Sequence, residues 1–296
     1  MSETFEAFMA RAWADHAQHS EAVADRLRTG TPAPANPAQL EALVRFVVHL
    51  LGEHLGRFDD ARWRLAALAS HDKADARVQS ALRVARATLD LAQSGRAALD
   101  GFTDAETVRA QSAAAALCVG RGQSERALAF IASARERLAA LPQASAADHR
   151  PLAIACNNMT WELHDRGAKR TAADTAAMLD LAAASRVHWS HAGTWLEVER
   201  ADYGLALAHL SAGRADEALH HAAQCLAACI AHDALPYEHF FGHEALARVQ
   251  HARGDRAACA HHAAAARDAF GRLDSDDQAS CRGALDALQA LAQAAP

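Results

Sequence analysis

A short unit recurs five times along this chain and constrains the fold more than any other feature. Each copy has a glycine, four mostly polar residues and then a small residue. The copies are "GRFDDA" from Gly56, "GQSERA" from Gly122, "GAKRTA" from Gly167, "GRADEA" from Gly213 and "GDRAAC" from Gly254. Each follows an apolar stretch of helical period and opens another. The physical reading is a helix–turn–helix. Glycine ends the first helix in the left-handed region, where other side chains are penalised. The small residue five positions later (Ala61, Ala127, Ala172, Ala218, Cys259) lets the second helix lie close against the first. Seven residues before the glycine, four copies carry another small position (Ala115, Thr160, Ala206, Ala247); the first carries His49 instead.

Composition agrees with an all-α chain. Half of the 296 residues are hydrophobic but only 5% are aromatic, because much of the apolar content is alanine, which favours helices and close helix packing. The length is enough for a sizeable core. The net charge of −6 comes with no run of Lys or Arg, which argues against nucleic acid as a partner. No stretch approaches the roughly 20 uncharged apolar residues of a membrane span, so no membrane partner is expected. The opening "MSETFEAFMARAWADH" lacks a basic region followed by an apolar one, and a cytoplasmic location is expected. The six cysteines (118, 156, 225, 229, 259, 281) fall inside helical patterns and read as reduced thiols.

These features resemble the tetratricopeptide repeat family. The clearest copy is "ADYGLALAHLSAGRADEALHHAAQCL", residues 201–226, with Ala206, Gly213, Ala218 and Cys225 at the family's small-residue sites. The resemblance covers residues 104–272 well and 38–70 fairly. The last four glycines are 45, 46 and 41 residues apart, longer than the family's repeat of about 34 residues. It implies a right-handed α-α superhelix of antiparallel helix pairs, as in bacterial regulators and adaptors with degenerate long repeats.

Along the chain, residues 2–28 read as one amphipathic helix with Phe5, Met9, Ala12, Trp13, His16, Val23 and Leu27 near one face. That helix should dock on the first pair or on a second copy of the chain as a homodimer. "TGTPAPANP" (29–37) is a linker or rigid turn, so 1–37 is an N-terminal segment and 38–296 the repeat domain. Helices are expected at 38–55, 58–70 and within 73–99, where Gly95 leaves the division open. Pairs follow at 104–120 with 124–140, 148–165 with 169–186, 191–211 with 215–232, and 237–252 with 255–271. A capping helix is expected at 276–293. Pro151 and Pro236 read as first-turn residues.

In the family, the first helix of each pair lines a concave groove. Carried over by offset from the turn glycine, the groove positions of the third pair are Ile154, Asn157, Asn158, Trp161, His164 and Asp165. The same offsets give Arg109, Ser112 and Ala116; Arg200, Tyr203 and Leu207; and Phe241, Glu244, Arg248 and His251. Amides that donate and accept, aromatics and charges suit a peptide. The implied peptide- or protein-binding set is Asn157, Asn158, Trp161, His164, Arg200, Tyr203, Glu244 and Arg248. Family members that clamp peptide termini use asparagine at two of these offsets. Asn158 matches one, but Trp161 stands at the other, so a carboxylate clamp is not implied.

Other chemistry is sparse. His239 and His243 lie one turn apart, the spacing at which two imidazoles share a metal, but no third ligand is evident. His221, Cys225, Cys229 and His232 form a helical stripe that spans about 16 Å and reads as core. No nucleophile elbow, P-loop, dinucleotide fingerprint or C-x-x-C occurs. The expectation is a protein- or peptide-binding adaptor with no cofactor, no metal and no catalysis. A ligand-responsive sensor module is the alternative, and a histidine-based metal protein or enzyme a weaker one.

Overall fold

The computed structural model describes residues 3–293. Residues 1–2 and 294–296, the outer ends of the expected 1–37 and 38–296 divisions, lie outside it. Among the described residues the protein is all-α, with no strand. The chain divides into two compact units, with the boundary after Ala155.

The first unit opens with α1 (Phe5–Asp15) and α2 (Ser20–Thr29). The expected single helix is therefore broken near His16. There, side chains compete for the backbone: the His16 ring contacts the Trp13 carbonyl oxygen at 2.6 Å, and the Ser20 hydroxyl donates to the His16 carbonyl. Both helices dock within the unit. Trp13 meets Phe46 edge-on, and Arg64 donates to the Leu27 carbonyl. Asn36 caps α3 (Pro37–Val47), with Pro37 in its first turn. This helix continues into a π-helical turn, Val48–His54. Gly52 lets two leucines lie close against that turn: a Cβ there would come 2.9 Å from Leu89 Cδ2 and 3.0 Å from Leu117 Cδ2.

Next come α4 (Phe58–Ala69), α5 (Ala76–Ser94), α6 (Asp104–Gly120) and α7 (Ser124–Ala140). Gly95 does end α5, in the left-handed conformation. Thr103 and Glu106 cap α6 reciprocally. Glu106 is buried, yet hydrogen bonds from Ser80 and the Thr103 backbone, with Arg83 beside it, outweigh burial and hold its carboxyl at about 2.

The boundary falls inside α8 (Ala146–Asp165). Pro151 is interior to this helix rather than in its first turn. Ser145 places the start earlier by donating its backbone N–H and hydroxyl to Asp148. The second unit continues with α9 (Ala172–Ala192), α10 (Trp195–Ser211), α11 (Ala215–Ala231), α12 (Pro236–Ala252), α13 (Arg256–Phe270) and α14 (Ser275–Gln293).

All five unit glycines are left-handed, with φ between 51° and 79°. Four of the five small residues that follow are buried: Ala61, Ala127, Ala218 and Cys259. Ala172 is exposed. In that copy a 3-10 turn (Gly167–Lys169) intervenes, and a Thr171–Asp174 capping box delays the helix start to Ala172. In the second unit, one apolar cluster joins α10, α11 and α12 through Ala206, Ala218, Ala222, Cys229, Ala245 and Val249. Another joins α12, α13 and α14 through Phe240, Ala263, Ala266, Phe270, Cys281 and Leu285. All six cysteines are buried and none forms a disulfide. No described helix is long and apolar enough to cross a membrane.

Candidate functional site

The second unit holds a cleft of about 580 Å³ whose walls come from α8, α10, α12 and α14. Its lining includes Asn157 and Trp161 of α8, Glu199, Arg200 and Tyr203 of α10, Tyr237, Glu238 and Phe241 of α12, and Asp277 of α14. Four rings run along it. The Trp161 and Tyr203 centroids are 6.3 Å apart, Tyr203 and Phe241 5.5 Å, and Phe241 and Tyr237 5.0 Å. The last two pairs are edge-on, a favoured aromatic geometry, and the first is tilted by 35°.

Four of the eight sequence-predicted groove residues line this cleft: Asn157, Trp161, Arg200 and Tyr203. Asn158 is half-buried beside Asn157, whose amide lies 3.5 Å from it. His164 lies one turn beyond Trp161, edge-on to its ring at 5.3 Å. Glu244 is not a surface residue. It is fully buried, accepts a hydrogen bond from the Tyr203 hydroxyl at 3.1 Å and pairs with Arg248. Arg248 thus supports Tyr203 from behind, and its side chain lines a separate hollow with His251 and Leu288. Leu207, Ser112 and Ala116 are buried too. Burial pushes the Tyr203 hydroxyl well above the ordinary tyrosine range, and the Glu244 charge adds to this.

Charge in the cleft is arranged by burial. Arg200 pairs with Glu238 at 2.5 Å, and its side chain remains more than half exposed. Glu238 was outside the sequence prediction because it opens α12, where the groove offsets do not reach. Glu199 was missed for a different reason: it faces the core side of α10. Its Oε1 accepts from the Cys225 thiol at 2.8 Å and lies 3.5 Å from Cys229 Sγ, while Oε2 has no hydrogen-bond partner among the described residues. Burial pushes the Glu199 carboxyl up, and the Cys225 hydrogen bond offsets this only in part. The neighbouring Cys229 and burial push the Cys225 thiol up. These three side chains offer ligand atoms within 4.8 Å of one another.

A carboxyl with a raised folded pKa contributes stability that is full below its unfolded value of about 4.3. That contribution is lost as pH rises through the folded value. Glu199→Gln keeps an acceptor for Cys225 and removes the buried ionisable group. It should raise stability at neutral pH by about 1–2 kcal/mol. Urea denaturation from about pH 4 to pH 8 should show the advantage growing with pH; a constant or reversed difference would contradict the assignment.

The comparisons with known proteins leave this geometry to stand alone. No protein-family model matches the chain, and neither the curated proteins nor the solved structures yield a match.

Proposed function

We propose that the second unit binds an extended peptide segment of a protein partner in this cleft. The chain would then work as an adaptor of the kind that the tetratricopeptide resemblance implies. The observation that carries the reading is the row of four rings that lines one cleft together with Asn157 and the half-exposed Arg200. Aromatic rings and arginine dominate the energetics of protein interfaces. An amide beside them can both donate to and accept from a peptide backbone. Arg200 is held by Glu238, and its remaining N–H groups can donate to the carbonyls of the bound segment. The ionisable groups support binding over catalysis: Cys225 is a neutral thiol at physiological pH, and Glu199 and Glu244 are buried among their partners.

Affinity capture from the native host with mass spectrometry, followed by peptide mapping, tests this. The control is Asn157→Ala with Trp161→Ala; both residues are only partly buried and neither holds a buried charge. The double variant should lose partner capture and melt within a few degrees of the parent. Capture that survives it would refute the cleft as the binding surface.

A further inference from the structure

In the first unit, three histidines converge where α1 ends against the π-helical turn. His16 follows α1 directly, and His49 and His54 lie five residues apart in Val48–His54. In an α-helix, side chains five apart point away from each other. The i→i+5 winding of a π-helix turns them toward the same side, and such turns are frequent at functional sites. The three ring centroids form a nearly equilateral triangle, with sides of 4.9, 4.9 and 4.6 Å. One ring nitrogen from each can be chosen so that all lie within 4.8 Å of one another.

The outer partners orient these rings. His49 Nδ1 lies 2.8 Å from Glu53 Oε2, so Nδ1 carries the proton and Nε2 presents its lone pair. His16 Nδ1 lies 2.6 Å from the Trp13 carbonyl oxygen, which leaves Nε2 of that ring bare as well. His49 Nε2 and His54 Nε2 are 3.2 Å apart. Two nitrogens bound tetrahedrally at about 2.0–2.1 Å from one zinc ion stand about 3.3 Å apart. A ligating histidine that donates its other N–H to a carboxylate or a carbonyl is the usual outer arrangement of zinc sites. Trp13 stacks on His49 at 5.0 Å and walls one side.

The geometry points to a divalent zinc-type metal site formed by His16, His49 and His54, with Glu53 and the Trp13 carbonyl as positioning groups. Sequence spacing hid it, because the nearest pair is five apart and the third ligand comes from another helix. Without metal, His54 Nε2–H can donate to His49 Nε2. Metal binding replaces that hydrogen bond, and His54 shifts its proton to Nδ1, so no proton is lost from a neutral ring. His54 is exposed and the other two are half-buried, so a water molecule can take the fourth position. That makes an open three-histidine site rather than a closed structural one.

The test uses the untagged full chain, stripped with chelator and titrated with Co2+ and then Zn2+. One Co2+ per chain should bind with the visible bands of a nitrogen–oxygen site, and Zn2+ should displace it. His49→Ala and His54→Ala should each weaken Zn2+ binding at least tenfold. Glu53→Gln should weaken it by about 10–100-fold at unchanged stoichiometry. Because His54 is exposed, His54→Ala should melt like the parent in chelator; Glu53→Gln keeps the test open if it does not. The proposal is overturned if the parent binds no Zn2+, or if both histidine variants bind as it does. A near-ultraviolet thiolate-to-cobalt band would also overturn it, by placing the metal at Cys225 and Cys229.

Discussion

An Arg248→Ala variant should lose about 3 kcal/mol of stability at neutral pH, although its side chain is partly exposed. The reason lies one turn back on α12. Glu244 is fully buried, and its named partners are Arg248 and the Tyr203 hydroxyl. Removing the guanidinium strands a carboxylate away from water, which typically costs about 3–5 kcal/mol. The 37% exposure of the Arg248 side chain places the effect at the lower end, since solvent already screens part of the pair. Burial pushes the Glu244 carboxyl up while Arg248 pulls it down. In the variant only the upward push and the Tyr203 bond remain, so its folded pKa rises further. The loss should therefore be small in acid and grow as pH rises through that value. Removing both charges, as Glu244→Gln with Arg248→Met, should recover most of the stability. Urea denaturation of the three variants across pH checks this, and an Arg248→Ala loss below about 0.5 kcal/mol would show the pair to be solvent-screened.

That pair also marks what the sequence could and could not disclose. Turn glycines are strongly legible, because the left-handed conformation restricts the residue type; all five stand where the unit placed them. Helix bounds in α6, α7, α10 and α11 follow from the same punctuation and fall within a few residues of expectation. Helix breaks made by side-chain hydrogen bonds are not legible in this way. The stretch from Phe5 to Thr29 has no Gly or Pro before Gly30, yet His16 and Ser20 interrupt it. The π-helical turn is equally silent: it interrupts a continuous helical pattern, and the leucines packed on its Gly52, Leu89 and Leu117, come from two other helices.

In the cleft, offsets counted from a glycine select a helix face but not its depth. They reach Trp161 and Tyr203 correctly as neighbours, and they place Glu244 on the same face although it lies beneath Tyr203. Glu199 and Glu238 escape because one lies off that face and the other opens a helix whose start is set by Pro236. The histidine triad escapes because its ligands are close only after tertiary packing.

Ala218→Leu should cost about 3 kcal/mol, the upper end for overpacking, and this tests the repeat register itself. Ala218 opens the second turn of α11 and is fully buried in one cluster with Ala206 of α10 and Ala245 of α12. Three helices therefore meet at positions where the side chain is a single methyl. Leucine adds three carbons where close-packed interiors have no voids of that size. The neighbours cannot yield cheaply: Ala206 has no rotamer to change, and α11 is fixed at its start by the left-handed Gly213. The helices must separate, which also loosens Ala222, Cys229 and Val249 of the same cluster. Helix propensity does not confuse the result, since leucine is nearly as good a helix former as alanine. Ala223→Leu, on the outer face of α11 beside Leu219 and His220, is the matched control and should change stability by less than about 0.5 kcal/mol. Thermal and urea denaturation of the two variants separate the outcomes. Equal melts would mean that position 218 is not at a helix contact, and the glycine-to-small-residue unit would then lose its physical meaning.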